Sequence, residues 1–302
     1  LAPNPPLRTP TVAQEPRSGP GRSLGGAALA LAALLPSPGA AETVFLPAGH
    51  LFEPLLADPK RPRFHVSVVD ADLRDARTTV AAVAYGDEYG LIKWTNRSPW
   101  EGWQLGLSGA VFAQFDLGSP SMDLVNADYT IGLPLAHRTG PHSLRLRVYH
   151  QSSHLGDEFL LRNNTERIDL HYEALEGLYA RDLGPFRVYG GGEWLFRREP
   201  EGLERGLAHL GMDFRFARFP LLPPERGAAY WVGGLDAKGF EHNDWEPGWS
   251  AVFGVEFRPT LPRRNVDKRL SLLLTWHEGP SPYGQFYSQE VRYWGLSLEF
   301  DL

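Results

Sequence analysis

The chain is 302 residues long with a formal net charge of −6, no cysteine, 32 glycines and 26 prolines. The acidic balance disfavours nucleic acid as a partner, and the missing cysteines exclude disulfides and thiolate metal sites. No stretch after residue 41 reaches the roughly 18 uninterrupted apolar residues of a membrane helix, so any membrane span must be made of strands.

Residues 1–41 differ in kind from the rest. Arg17 and Arg22 precede the apolar run from Leu24 to Leu35, and the small residues Gly39, Ala40 and Ala41 close it. A basic, then an apolar, then a small-residue region reads as a secretion signal cleaved after Ala41. Residues 42–62 lack sustained alternation, and their PLLADPKRPR stretch carries too much proline and charge for a strand. They read as a periplasmic N-terminal arm or as a cover for the lower mouth of a barrel.

From 63 to 302, apolar and polar residues alternate in segments of about 10 to 15 residues, the length of tilted transmembrane strands. Twelve such segments fall near 63–73, 79–94, 101–117, 122–136, 142–154, 166–182, 186–198, 204–217, 228–241, 248–259, 269–279 and 289–302. In the seventh, Phe186, Val188, Trp194 and Phe196 alternate with Arg187, Tyr189, Glu193 and Arg197. In the last, Trp294, Leu296, Leu298, Phe300 and Leu302 share one face. The fold class this predicts is all-β: a transmembrane antiparallel β-barrel of about 12 strands in the bacterial outer membrane, an even number returning both ends to the periplasm. A soluble β-sandwich would also alternate. It would not explain why Arg145, Arg147, Arg187, Glu193, Asp213, Arg215, Glu256 and Arg258 all lie opposite apolar faces. In a small barrel these residues become a polar, ion-paired interior.

The fifth and sixth segments carry the candidate chemistry. Leu144, Leu146, Val148, His150, Ser152 and His154 share one face, so an outward apolar stripe runs into a histidine and a serine about 7 Å apart at Cα. An imidazole beside a hydroxyl is the minimum for an activated serine, and a third group from the next strand must hold the imidazole tautomer. On that strand Ile168, Leu170, Tyr172 and Ala174 are apolar, which predicts that even positions face outward, Asn164 and Glu166 among them. Asp169, His171 and Glu173 then alternate inward, as members of an ion-pair network with the interior arginines rather than as metal ligands. His154 reads as a phosphate contact or a marker of the membrane boundary. Asp157 and Glu158 open the following loop as hard oxygen ligands for calcium or as a solvated tip.

The His-x-Ser pair at 150 and 152, with Asn164 twelve residues after the serine, resembles the outer-membrane phospholipase A family. The resemblance implies that His150 is general base, Ser152 nucleophile and Asn164 the orienting residue, with calcium bound at a homodimer interface. Outer-membrane lipid A deacylases also use His-x-Ser but place Glu third, which makes Glu166 the alternative. The family's Asn-Gly after the serine is Ser153-His154 here. Three further stretches, FLPAGHLFEPLLADPK at 45–60, YHQSSHLGDEF at 149–159 and GPSPYGQFY at 279–287, resemble motifs of an uncharacterised family of bacterial barrel proteins. The function these readings predict is a lipid-facing serine hydrolase acting on acyl esters of phospholipid or lipopolysaccharide. The alternative is a non-enzymatic barrel that serves as a small-solute channel or an envelope anchor.

Overall fold

The structure is a computed structural model that describes residues 42–73, 76–95, 98–163, 167–219, 227–259 and 268–301. The segment read as a secretion signal, 1–41, lies outside them. The described residues form thirteen strands, of which β1 (Glu42–Phe45) is a short addition. The others are β2 (Phe64–Leu73), β3 (Ala76–Thr95), β4 (Gly102–Asp116), β5 (Asp123–Thr139), β6 (His142–Leu155), β7 (Leu170–Leu183), β8 (Phe186–Glu199), β9 (Gly206–Phe219), β10 (Ala228–Phe240), β11 (Pro247–Arg258), β12 (Arg269–Pro280) and β13 (Glu290–Asp301). Each of these twelve pairs antiparallel with its neighbours in sequence, and β13 pairs with β2, so the sheet closes into the expected 12-stranded barrel. Closure removes the free edges of these twelve strands. β1 pairs only with the far end of β3, Glu42 opposite Thr95.

Phe64 and Asp301 reach the same rim, here termed the terminal rim. Two hairpins on it are closed by the pairs Gly140-Pro141 and Gly184-Pro185, with the glycines at φ 52° and 67°. That region of backbone space suits glycine and matches the twist of a tight hairpin. The opposite loop rim carries the longer connections, among them a short helix α1 (Asp157–Asn163) and 281–289.

Polarity is inverted relative to a water-soluble core. Along β13 the outward Trp294, Leu296 and Leu298 are each at least half exposed, while the inward Ser297 and Glu299 are buried. Toward the terminal rim, Phe214, Phe216, Phe219, Trp231 and Phe253 form an aromatic cluster on the outer face. Inside, Glu176 sits between Arg145 at 2.8 Å and Arg147 at 2.6 Å. Glu256 binds Arg215 and Arg258, Arg187 pairs with Asp213, and the Tyr149 hydroxyl donates to Glu193. This is the ion-paired interior expected from the sequence.

The chain between β1 and β2 is neither an external arm nor a cover. Residues 46–63 run into the lumen and plug it. Leu51, Phe52 and Leu55, all nearly inaccessible, pack against Ala136, Leu178, Ala180 and Tyr189 on one wall. Leu56 and Ala57 pack against Val232, Val252 and Leu273 on the other. Backbone groups that no strand pairs are satisfied by barrel side chains. Gln104 accepts from Leu51 N–H at 2.8 Å and donates to Gly49 O at 2.9 Å, Asp213 accepts from Leu56 N–H at 3.1 Å, and Arg187 donates to Glu53 O and Pro54 O. At the tip, Lys60 pairs with Asp128 at 2.6 Å and Lys238 with Asp58 at 2.9 Å. An irregular segment can be buried only where partners of this kind are already in place, and the inward polar faces of β4, β8 and β9 provide them.

Candidate functional site

On β6 the even residues point outward and the odd residues are buried, so His150 and Ser152 lie on the outer face as read from the sequence, three to five residues from the end of the strand at Leu155. The neighbouring strand corrects that reading. Leu170 and Ala174 on β7 are buried, at 2% and 0% exposed, whereas His171 and Glu173 face outward. Apart from Glu176, the inner face of β7 is apolar, because Leu178 and Ala180 meet the plug and Ala174 packs beside Tyr149, Leu195 and Leu203. With apolar residues on both faces, hydrophobicity alone assigns the parity wrongly.

Register then builds a polar island on the apolar exterior. His150 lies opposite Glu173 and Ser152 opposite His171. His150 Nδ1 is 3.2 Å from Glu173 Oε1, and His171 Nδ1 is 3.4 Å from Asp169 Oδ1. The two imidazole centroids are 6.4 Å apart. Arg197 on β8 approaches the second oxygen of Glu173 at 3.8 Å. On the other side of Ser152, Tyr129 of β5 occupies the opposing position. Ser152 thus stands beside two imidazoles, His150 hydrogen-bonded at Nδ1 to Glu173 and His171 with the exposed Asp169 carboxylate near its Nδ1. A neutral imidazole whose Nδ1–H donates to a carboxylate presents Nε2 as a proton acceptor.

The remaining sequence candidates fall around this island. His154, exposed, accepts at Nδ1 from the Arg167 guanidinium at 2.8 Å and lies against Tyr129, which places a cation at the loop-rim end of the site. Asp157 and Glu158 form the first turn of α1, both exposed, and no group of three or more metal-ligating side chains gathers there among the described residues. Asn164 and Glu166 lie outside the described residues. The partner missed in the sequence is Glu173.

Toward the terminal rim the island gives way to an outer-face groove of about 460 Å³ bounded by Leu146, Leu175, Gly177, Gly192, Trp194 and Trp245. Leu146, Gly177 and Gly192 are successive register partners across β6, β7 and β8, so the floor of the groove is where side chains are missing. Two other Ser–His pairs face the lumen instead. Ser67 lies 3.4 Å from His65 and donates to Ala82 O, and Ser250 lies 2.8 Å from His277, whose other nitrogen contacts Pro280 O. All four residues are buried, with no open face toward a lipid.

The fold is similar to that of outer membrane phospholipase A from Escherichia coli, with a TM-score of 0.52 at 11% identity over 83% of this chain and 95% of that one. CdiB from Acinetobacter baumannii aligns with a TM-score of 0.31 at 12% identity, over 86% of this chain and 66% of that one. No curated protein matches the sequence. The family model for a protein of unknown function, DUF1207, matches residues 32–302, and the chain belongs to that family.

Proposed function

We propose that this protein is an outer-membrane barrel whose Ser152 hydrolyses acyl esters of phospholipid or lipopolysaccharide at the barrel surface. The observation that carries the reading is the outward hydroxyl beside two outward imidazoles, one of them hydrogen-bonded to Glu173, on a largely apolar face. His150 takes the Ser152 proton and Glu173 holds its tautomer, in the third role that the sequence reading gave to Asn164 or Glu166. Arg167 and His154 sit where a headgroup phosphate would lie, and the groove beyond Leu175 receives the acyl chain. The likeness in fold to outer membrane phospholipase A supports an outer-membrane setting. The plug supports an activity outside the lumen, since it occupies the path a solute channel would use.

The test is fatty-acid release from phosphatidylcholine and from lipopolysaccharide by protein refolded into detergent micelles, with and without calcium, beside Ser152→Ala. Release that the variant abolishes, with its barrel still folded, is the expected result. Equal release by both proteins, or none by the wild type, refutes the reading.

A further inference from the structure

The island holds one hydroxyl and two imidazoles, where an activated serine needs only one. In a single-histidine site the same ring takes the serine proton and then carries it to the leaving group. Here the two tasks have separate candidates. His150 precedes Ser152 by two residues on β6, and His171 stands directly across on β7, at the spacing of opposing Cβ atoms of roughly 4.5–5.5 Å. The ring centroids are 6.4 Å apart with planes at 38°, so both rings stand on the one outward patch beside Ser152. Their carboxylates lie at opposite ends, Glu173 beside His150 and Asp169 beside His171, so neither ring needs the other's partner.

Resting on Ser152 as the nucleophile, we infer that His171 is a second catalytic residue, the proton donor to the leaving alkoxide, while His150 is the base. The cycle balances on one shared proton. At the start His171 is protonated and His150 neutral. The Ser152 Oγ–H proton passes to His150 as Oγ bonds to the carbonyl carbon, and the C–O bond to glycerol or sugar breaks as His171 gives its proton to that oxygen. In the acyl-enzyme the roles are exchanged. Neutral His171 accepts a proton from water as its oxygen attacks, the fatty acid departs, and His150 returns a proton to Ser152. One water is consumed and both rings regain their first state. The charged and titratable groups facing His171 are His150 and His154 on β6, Asp169 and Glu173 on its own segment, Glu199 opposite it and Arg197 on β8, and Arg167 beside His154.

Leaving groups that need no proton separate the two roles. A long-chain sulfonyl fluoride loses fluoride from sulfur as Ser152 Oγ bonds to it, and a 4-nitrophenyl acyl ester loses a phenolate, whereas phosphatidylcholine must release an alkoxide. In His171→Gln, sulfonyl labelling of Ser152 and the nitrophenolate burst stay within a few-fold of wild type, while phospholipid hydrolysis falls by about 100-fold or more. In His150→Gln all three are lost. Asp169→Asn, the milder variant, gives a smaller split in the same direction. Labelling at Ser152 shows that His171→Gln and Asp169→Asn are folded, and heat-modified migration in gels shows the same for His150→Gln. If His171→Gln lowers the burst and phospholipid hydrolysis equally, or lowers neither, the second role falls while Ser152 stands. If the wild type is not labelled at Ser152, the nucleophile and this inference fall together.

Discussion

Arg187 is the most informative residue of the plug. It donates to Glu53 O and Pro54 O at 2.7 Å each and pairs with Asp213, whose carboxylate also accepts from Leu56 N–H at 3.1 Å. Both side chains are less than a tenth exposed. Arg187→Ala therefore strands a buried carboxylate and leaves two plug carbonyls without donors, a change that costs about 3–5 kcal/mol when one member of a buried pair is removed. At about 1.4 kcal/mol per tenfold, the fraction of molecules with the plug undocked rises on the order of 10³-fold. Lys60 and Arg63 are trypsin sites that sit inside the docked barrel, and their cleavage tracks the open population when docking is fast relative to proteolysis. The expected result is rapid cleavage near Lys60 in Arg187→Ala under conditions where wild type is intact, together with new ionic conductance in planar bilayers. The double variant Arg187→Ala/Asp213→Ala recovers part of the protection, because the stranded charge is gone. A folded Arg187→Ala barrel that trypsin cuts no faster than wild type would refute the docking energetics argued from these contacts.

The candidate site makes two further predictions. Glu173→Gln keeps a hydrogen-bonding group beside His150 Nδ1 but removes the charge, so lipid hydrolysis falls by about 100-fold or more while barrel stability, followed by heat-modified migration in gels, stays unchanged; full activity in this variant removes Glu173 from the machinery. Gly177→Phe fills the groove without disturbing the sheet, since a Cβ there meets only Leu146 Cδ2 at 3.5 Å. Hydrolysis of long-chain esters drops at least tenfold relative to short-chain ones, and an unchanged chain-length profile excludes the groove as the acyl site.

The barrel was legible because closing a sheet with its apolar face outward imposes period two on almost every strand, and β11 and β13 keep it cleanly, as does β8 up to Phe196. The plug was not. Leu51, Phe52, Leu55 and Leu56 share no strand period, and their partners Gln104, Arg187 and Asp213 show in sequence only as inward polar residues with no stated target. The parity of β7 was legible by another route. The tight turn at Gly184-Pro185 sets Leu183 opposite Phe186, and Phe186 belongs to the unambiguous outward face of β8. Because paired residues point to the same side, odd positions of β7 must face outward, which brings His171 and Glu173 to Ser152 without reference to hydrophobicity. The tight turn and pairing thus constrain parity more strongly here than the side chains do.

The division between inside and outside bears on where the chemistry lies. Inward charges have visible structural duties: Glu176 joins Arg145 to Arg147, Asp128 receives Lys60, and Arg187 with Asp213 docks the plug. Removing such a group disturbs the packing that seals the lumen. His150, Ser152, His171 and Glu173 have no comparable duty, since their strands are already paired through the backbone from His142 to Ser153. Apolar residues at these four outward positions would suit an apolar exterior at least as well. A polar group placed where the fold does not require it, on a face that disfavours it, marks a local departure from the rules the rest of the barrel obeys, and such departures collect at functional sites. Unlike the outward Asp70–Arg77 and Glu278–Arg292 ion pairs, the departure at the loop-rim end of β6 and β7 sets a hydroxyl beside two imidazoles, next to the groove and the Arg167–His154 pair.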